Sequence, residues 1–165
     1  MKQEPFGSDP RNPRPSGRGG VNARILSAGV VLLHRDRDHY KYLLLRAYNY
    51  WDFPKGAVEP GEAPLEGAVR EVLEETTITT LNFTWGPVYR ETFPYNHGRK
   101  IARYYVAETP ETIVHLPINP LLGRPEHLEY RWVTRDAAWR LLTPRVRAII
   151  EWADDIIGGR PAQGN

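Results

Sequence analysis

The sequence predicts an α/β domain in which a mixed β-sheet lies between helices. Three features carry that expectation. Several short runs are β-branched and aromatic, one central segment has the 3.6-residue period of an amphipathic helix, and a second helical pattern closes the chain. Strands and helices interleave without a regular βαβ repeat, which favours a mixed sheet over an all-parallel one.

Taken in order, Met1 to Val21 is rich in Pro, Gly and Arg and has no apolar period. The expectation is a disordered basic tail over residues 1–22, a folded domain over 23–158 and a short disordered tail over 159–165. Ile25 to Leu33 is a nearly continuous β-branched and aliphatic run, as expected of a strand buried on both faces. Arg35-Asp36-Arg37-Asp38 is a polar turn into a second strand, Tyr40 to Arg46, so the two form a hairpin. An aromatic bend from Tyr48 to Pro54 delivers Lys55-Gly56, and Pro64 to Thr76 is helical. Ile78 to Phe83 and Val88 to Phe93 read as strands around a Trp85-Gly86-Pro87 turn. The turn Pro94 to Gly98 leads into a strand from Arg99 to Glu108, and Leu116 to Pro125 reads as a long loop. Glu129 to Thr134 is a short strand. Helices over Arg135 to Leu142 and Arg145 to Ile157 follow, the last opened by Pro144 and ended by Gly158-Gly159. Trp132, Trp139 and Trp152 are assigned to the core.

Composition bounds the chemistry. A chain of 165 residues that is 41% hydrophobic suits one domain with a real core. No run approaches the roughly 20 apolar residues of a membrane span, and MKQEPFGSDP lacks the apolar centre of a signal peptide. A soluble, cytoplasmic protein without a membrane partner is expected. The absence of cysteine excludes thiol nucleophiles, disulfides and thiolate metal sites. The net charge of +2 resides in the first 20 residues, where Lys2, Arg11, Arg14 and Arg18 face only Glu4 and Asp9. The rest is formally neutral, so no stable nucleic-acid partner is expected.

The helix over Pro64 to Thr76 concentrates acid on one side. Glu71, Glu74 and Glu75 stand at i, i+3 and i+4 and share a face, beside an apolar stripe of Leu65, Ala68, Val69 and Val72. Gly67 projects between Glu71 and Glu74 one turn earlier, leaving a notch for a cation or phosphate oxygens. Three close carboxylates repel one another, and a shared Mg²⁺ or Mn²⁺ keeps them ionised. Arg70 reaches Glu74 at i+4. On the helix alone, a solvated Glu-rich surface remains the competing reading.

The preceding loop adds to the pattern. Gly56, five residues, Glu62, seven residues, then Arg70-Glu71-Val72-x-Glu74-Glu75 with Ile78 closing resembles the signature of the Nudix hydrolases. Thr77 stands where that signature has glycine, and a β-branched residue tolerates a left-handed helix end poorly. The resemblance covers about Ala23 to Ile157 and implies a Nudix-type α/β/α sandwich, a Mg²⁺ or Mn²⁺ cofactor and attack of water on a phosphoanhydride. It implies that the Gly56 carbonyl, Glu71, Glu74 and Glu75 surround the metal, that Arg70 orients a glutamate, and that Glu62 supports the loop. Glu126, six residues before Trp132, matches the family's later carboxylate better than Glu129 does, as a further ligand or base. Glu71 is the first choice of base and Glu126 the second.

Leu43 to Arg46, Trp51 to Glu62 and Glu126 to Trp132 look most like the asymmetric bis(5′-nucleosyl)-tetraphosphatases, which cleave diadenosine tetraphosphate to ATP and AMP. That likeness implies a nucleotide substrate whose phosphates meet Lys55 and Lys100 and whose adenine stacks on Tyr95, with Arg46 also on the substrate side. Two alternatives stand beside it. One is an RNA 5′-pyrophosphohydrolase, suggested by the Arg-rich tail, although bacterial enzymes of that kind usually carry glutamine in place of Lys55. The other is a non-catalytic nucleotide sensor, which would be expected to lose the motif carboxylates present here.

Overall fold

Two long strands that pair at one end and part at the other set the frame. In the computed structural model, which describes residues 24–159, β1 (Ile25–Asp36) and β2 (His39–Ala47) form a hairpin over Leu33–Asp36 and His39–Tyr42. The tail expected at 1–22, and all of the 159–165 tail but Gly159, lie outside the described residues. Where the strands diverge, two short strands enter the wedge. β3 (Tyr50–Asp52) pairs with β2 at Leu45–Ala47, and β4 (Lys55–Ala57) pairs with β1 at Ser27–Gly29. Gly29 makes room for this entry, since a Cβ there would lie 2.3 Å from the Pro54 carbonyl oxygen and 2.4 Å from the Lys55 Cβ.

The other edges are closed by later strands. β6 (Lys100–Glu108) runs parallel to β1, β5 (Tyr89–Glu91) pairs with β6, and β9 (Glu129–Val133) covers the far edge of β2. The sheet is therefore mixed, with its parallel contact at the centre. Alternation along the strands sorts side chains into two layers. Ala28, Val30, Leu32, Leu43 and Leu45 meet Ala68 and Val72 of α1 (Pro64–Thr76) on one face. Val31, Leu33, Leu44, Tyr104 and Val106 meet α2 (Arg135–Leu141) and α3 (Pro144–Ile157) on the other, through Ala138, Val146, Ile149 and Ile150. This is the α/β/α sandwich expected. No helix among the described residues is long and apolar enough to cross a membrane.

Three expectations change. Ile78 to Phe83 is not a strand: among the described residues its only ladder contact is an isolated bridge from Asn82 to Glu108, because the Thr79 and Thr80 amides donate to the Glu111 carboxylate instead. The Leu116–Pro125 loop contains a two-stranded ribbon, β7 (Ile118–Asn119) with β8 (Arg124–Pro125). Val69 lies at the helix edge and is exposed, while Trp132 and Trp139 flank the core and only Trp152 of the three is buried in it.

The helix exit is left-handed despite its side chain. Thr77 has φ 66°, its amide donates to the Leu73 carbonyl at 2.9 Å, and its hydroxyl donates to the Thr76 carbonyl at 2.6 Å. The same Thr76 carbonyl accepts from the His115 amide at 3.1 Å, so the strained residue is held from outside the helix. A left-handed β-branched residue costs about 1–2 kcal/mol. Thr77→Gly should therefore raise stability by about 1 kcal/mol, read as a higher denaturant midpoint at unchanged slope. A lower midpoint would show that the hydroxyl bond outweighs the backbone strain.

Candidate active site

The loop after β4 and the first turns of α1 are joined by one side chain. Arg70 has five N–H donors, and each finds an acceptor. Nε and Nη2 grip the Glu62 carboxylate at 2.7 and 3.0 Å, Nη2 also reaches the Ala57 carbonyl at 3.0 Å, and Nη1 reaches Glu71 at 2.9 Å and Glu74 at 3.0 Å. The guanidinium holds the Glu62 carboxyl down to about 2, helped by the Glu59 amide. The Gly67 notch is not open to a cation as expected. Glu62 fills it, with Oε1 only 2.7 Å from where a Gly67 Cβ would stand.

The three motif carboxylates share a face but differ in depth. Glu75 is buried and accepts the Lys55 amide at 3.1 Å, Glu71 is nearly buried, and Glu74 is exposed. A Cβ on Gly56 would fall 2.1 Å from the Glu71 Cδ, so glycine is the residue that lets β4 lie against this carboxylate. Burial raises the Glu71 carboxyl, Arg70 pulls it back, and Glu74 and Glu126 push it up again. Glu75 is raised well above its usual range by burial first, then by Glu71 and Glu126.

These carboxylates line a cavity of about 460 Å³ with Glu126, His127 and an apolar wall from Leu116 to Leu121. Glu129 points elsewhere, bound by Arg46 at 3.0 Å and Arg131 at 2.6 Å, which leaves Glu126 as the later carboxylate facing the cavity. Among the described residues no three acidic or histidine side chains are already gathered as a formed metal centre. Arg70 is the counter-ion of Glu71 and Glu74. The donor set nonetheless fits a hard divalent ion: it is all oxygen, it converges on one cavity, and its raised carboxyls are groups whose repulsion a cation would relieve.

The expected substrate contacts divide. Lys55 precedes the glycine that meets α1, so its side chain lies on the opposite sheet face, where Nζ is 3.9 Å from Asp52. Tyr95 packs at the edge of that same layer and closes the 95–100 turn by paired backbone bonds with Lys100. Asn96, His97 and Gly98 at its tip all have positive φ. Lys100 alternates with Ala102 and Tyr104 and so faces the same side. Arg46 is engaged by Glu129 and by the Tyr48 carbonyl at 2.6 Å. Sequence reasoning missed His127, Asp52, Arg145 and the Leu116–Leu121 wall. Burial holds the His127 imidazole below its usual value despite Glu126 beside it. Its one sequence signal was adjacency to Glu126.

The comparisons with known proteins agree with this fold. The NUDIX domain matches residues 23–153. The bis(5′-nucleosyl)-tetraphosphatase (asymmetrical) of Mus musculus is 31% identical over 128 residues, covering 71% of this chain and 84% of the relative. Its counterpart from Sus scrofa is 32% identical over the same shares. The crystal structure of a C. elegans Ap4A hydrolase binary complex superposes with a TM-score of 0.68 at 24% identity, covering 82% of this chain and 98% of that one, which shows the shared fold.

Glu75 offers a test by pH and metal. Its raised carboxyl binds a proton in the folded state that the unfolded chain releases near 4.5, so its contribution to stability falls as pH rises above that value. In EDTA, Glu75→Gln should melt above the wild type, with a lead that widens between about pH 5 and 7; Mg²⁺ should narrow it by stabilising the wild type more. Thermal denaturation checks this, and a lead independent of both pH and Mg²⁺ would remove Glu75 from the site.

Proposed function

Because the chain belongs to the Nudix hydrolase family and is a pyrophosphohydrolase of nucleoside polyphosphates, we propose that its substrate is a dinucleoside polyphosphate, diadenosine tetraphosphate first, cleaved to ATP and AMP. The observation that carries this reading is the cavity in which Glu71, Glu74, Glu75 and Glu126 face one space, with Lys55 anchored to Glu75 through its amide. The more than 30% identity to the mouse and pig tetraphosphatases supports the substrate.

A bound Mg²⁺ or Mn²⁺, held by Glu71, Glu74, Glu75, Glu126 and the Gly56 carbonyl, would neutralise phosphate charge and make a water more acidic. The chain's own residues do the rest. Arg70 takes one oxygen of Glu71 and leaves the other free to accept a proton from the attacking water. The water oxygen bonds to phosphorus, the bridging P–O bond breaks, and the departing phosphate leaves with the electron pair. Glu126 is the second candidate for the proton; Lys55, Lys100 and Tyr95, the proposed contacts of the remaining phosphates and a base, stand on the opposite sheet face from Glu71.

Incubation with diadenosine tetraphosphate and, separately, with 5′-triphosphorylated RNA in Mg²⁺ tests the reading. ATP and AMP should form from the first, with little turnover of the second. Turnover of the RNA alone would overturn the substrate, and tight binding without products would favour the sensor. Glu71→Gln should lower kcat about 10²–10⁴-fold without lowering the melting temperature. Arg70→Lys keeps the charge but loses the planar fork, and should cost about 10–100-fold.

A further inference from the structure

The cavity that gathers the motif carboxylates has two unlike walls. Beside the acids, Leu116, Pro117, Ile118, Pro120 and Leu121 offer no charge to a cation or a phosphate. Ile118 is 66% and Leu121 95% exposed, although both are large aliphatic side chains on the lining of a site. Apolar surface kept open in this way marks a contact surface rather than a core.

This wall is built before any ligand arrives. β7 and β8 pair Ile118 with Pro125 and Asn119 with Arg124. Their turn closes on Asn119, whose carbonyl accepts the Leu122 and Gly123 amides at 3.0 and 2.9 Å and whose Oδ1 accepts the Leu121 amide at 2.9 Å. Pro117 and Pro120 fix their own φ. At the root of the ribbon Val114 is buried in the α1-side core, and the His115 amide bonds to the Thr76 carbonyl at the exit of α1, which ties the ribbon to the helix that carries Glu71, Glu74 and Glu75. A surface ordered in advance loses little entropy when it is covered.

We propose that the β7–β8 ribbon is the platform for the base of the nucleoside whose phosphate sits at the carboxylates, with Ile118 and Leu121 as the residues it packs on. This rests on the substrate being a nucleotide. The occupant follows from continuity with the carboxylates: a group joined through a sugar to a phosphate at Glu71 reaches the other wall of the same cavity, and the flat face of a base suits aliphatic side chains. The cavity, about 460 Å³, falls in the lower part of the range for small-molecule sites, so it suits one nucleoside with its phosphate rather than both ends of a dinucleotide. Among the described residues no Phe, Tyr or Trp lines it, and Tyr95 stands on the opposite sheet face, where it is left for a second base. Every base has a flat face, so a platform of this kind holds a base without reading its edges.

Methyl NMR on the full chain in Mg²⁺, titrated with AMP and separately with ribose 5-phosphate, isolates the contribution of the base. AMP should bind about tenfold more tightly, which matches burial of about 55 Å² of apolar surface at about 25 cal/mol per Å². Ring currents of the base should shift the Ile118 and Leu121 methyl signals with AMP and not with ribose 5-phosphate. Ile118→Ser combined with Leu121→Ser should remove the advantage of AMP while ribose 5-phosphate binds within about twofold of wild type, and Leu121→Ser alone should reduce that advantage about threefold. Both side chains are exposed, so the melting temperature should hold. Equal wild-type affinity for the two probes overturns the proposal, as does an advantage that survives in the double variant or one that Tyr95→Ala removes in its place; Leu121→Ser decides the matter if the double variant fails to fold. Failure to cleave diadenosine tetraphosphate with the AMP pattern intact would instead refute the dinucleotide substrate and leave the platform standing.

Discussion

The site depends on the Arg70 guanidinium. Five donors meet five acceptors drawn from the loop, the strand end and the helix, so the segment from Ala57 to Glu62 cannot move independently of α1. Lysine could supply the charge but not the geometry, because only a planar fork reaches Glu62 with two nitrogens while the third serves Glu71 and Glu74. The same contacts offset repulsion among carboxyl groups that burial already pushes above their usual range. A face made of acids needs some counter-charge, and Arg70 provides it to Glu62, Glu71 and Glu74.

The second constraint is the parting of β1 and β2. Had the hairpin stayed paired along its length, Asp52 and Lys55 would have had no edge to join, and the helix would have lacked a loop to lie against. Entry of β3 and β4 into the wedge turns alternate residues of one short strand to opposite faces. Gly56 meets Glu71 on the α1 side while Lys55 meets Asp52 on the α3 side. One residue step thus separates the acidic side of the sheet from the side that carries Lys55 and Arg145. The Lys55 amide bonded to Glu75 fixes their relative height.

Local features were legible before the structure. The α1 boundaries, the i, i+3, i+4 acid face and the Arg70–Glu74 pair follow from helical geometry over a few residues, and the long strands announce themselves by composition. Ile78 to Phe83 has strand composition but no strand, because a carboxylate 31 residues away captures its amides. The Gly67 notch looked open for the same reason: helical projection contains no loop, and Glu62 returns from one.

By itself, then, the sequence determined the long strands and the helices, which carboxylates share a helix face, and which hydrolase family that spacing belongs to, since all of these depend on neighbours close along the chain. The tertiary structure alone decided how deep each carboxylate lies, that Glu126 rather than Glu129 faces the cavity, and that Arg145 stands beside Asp52 and Lys55. Those facts are set by packing between elements far apart in sequence, where burial and charge act across space and leave no period in the chain to read.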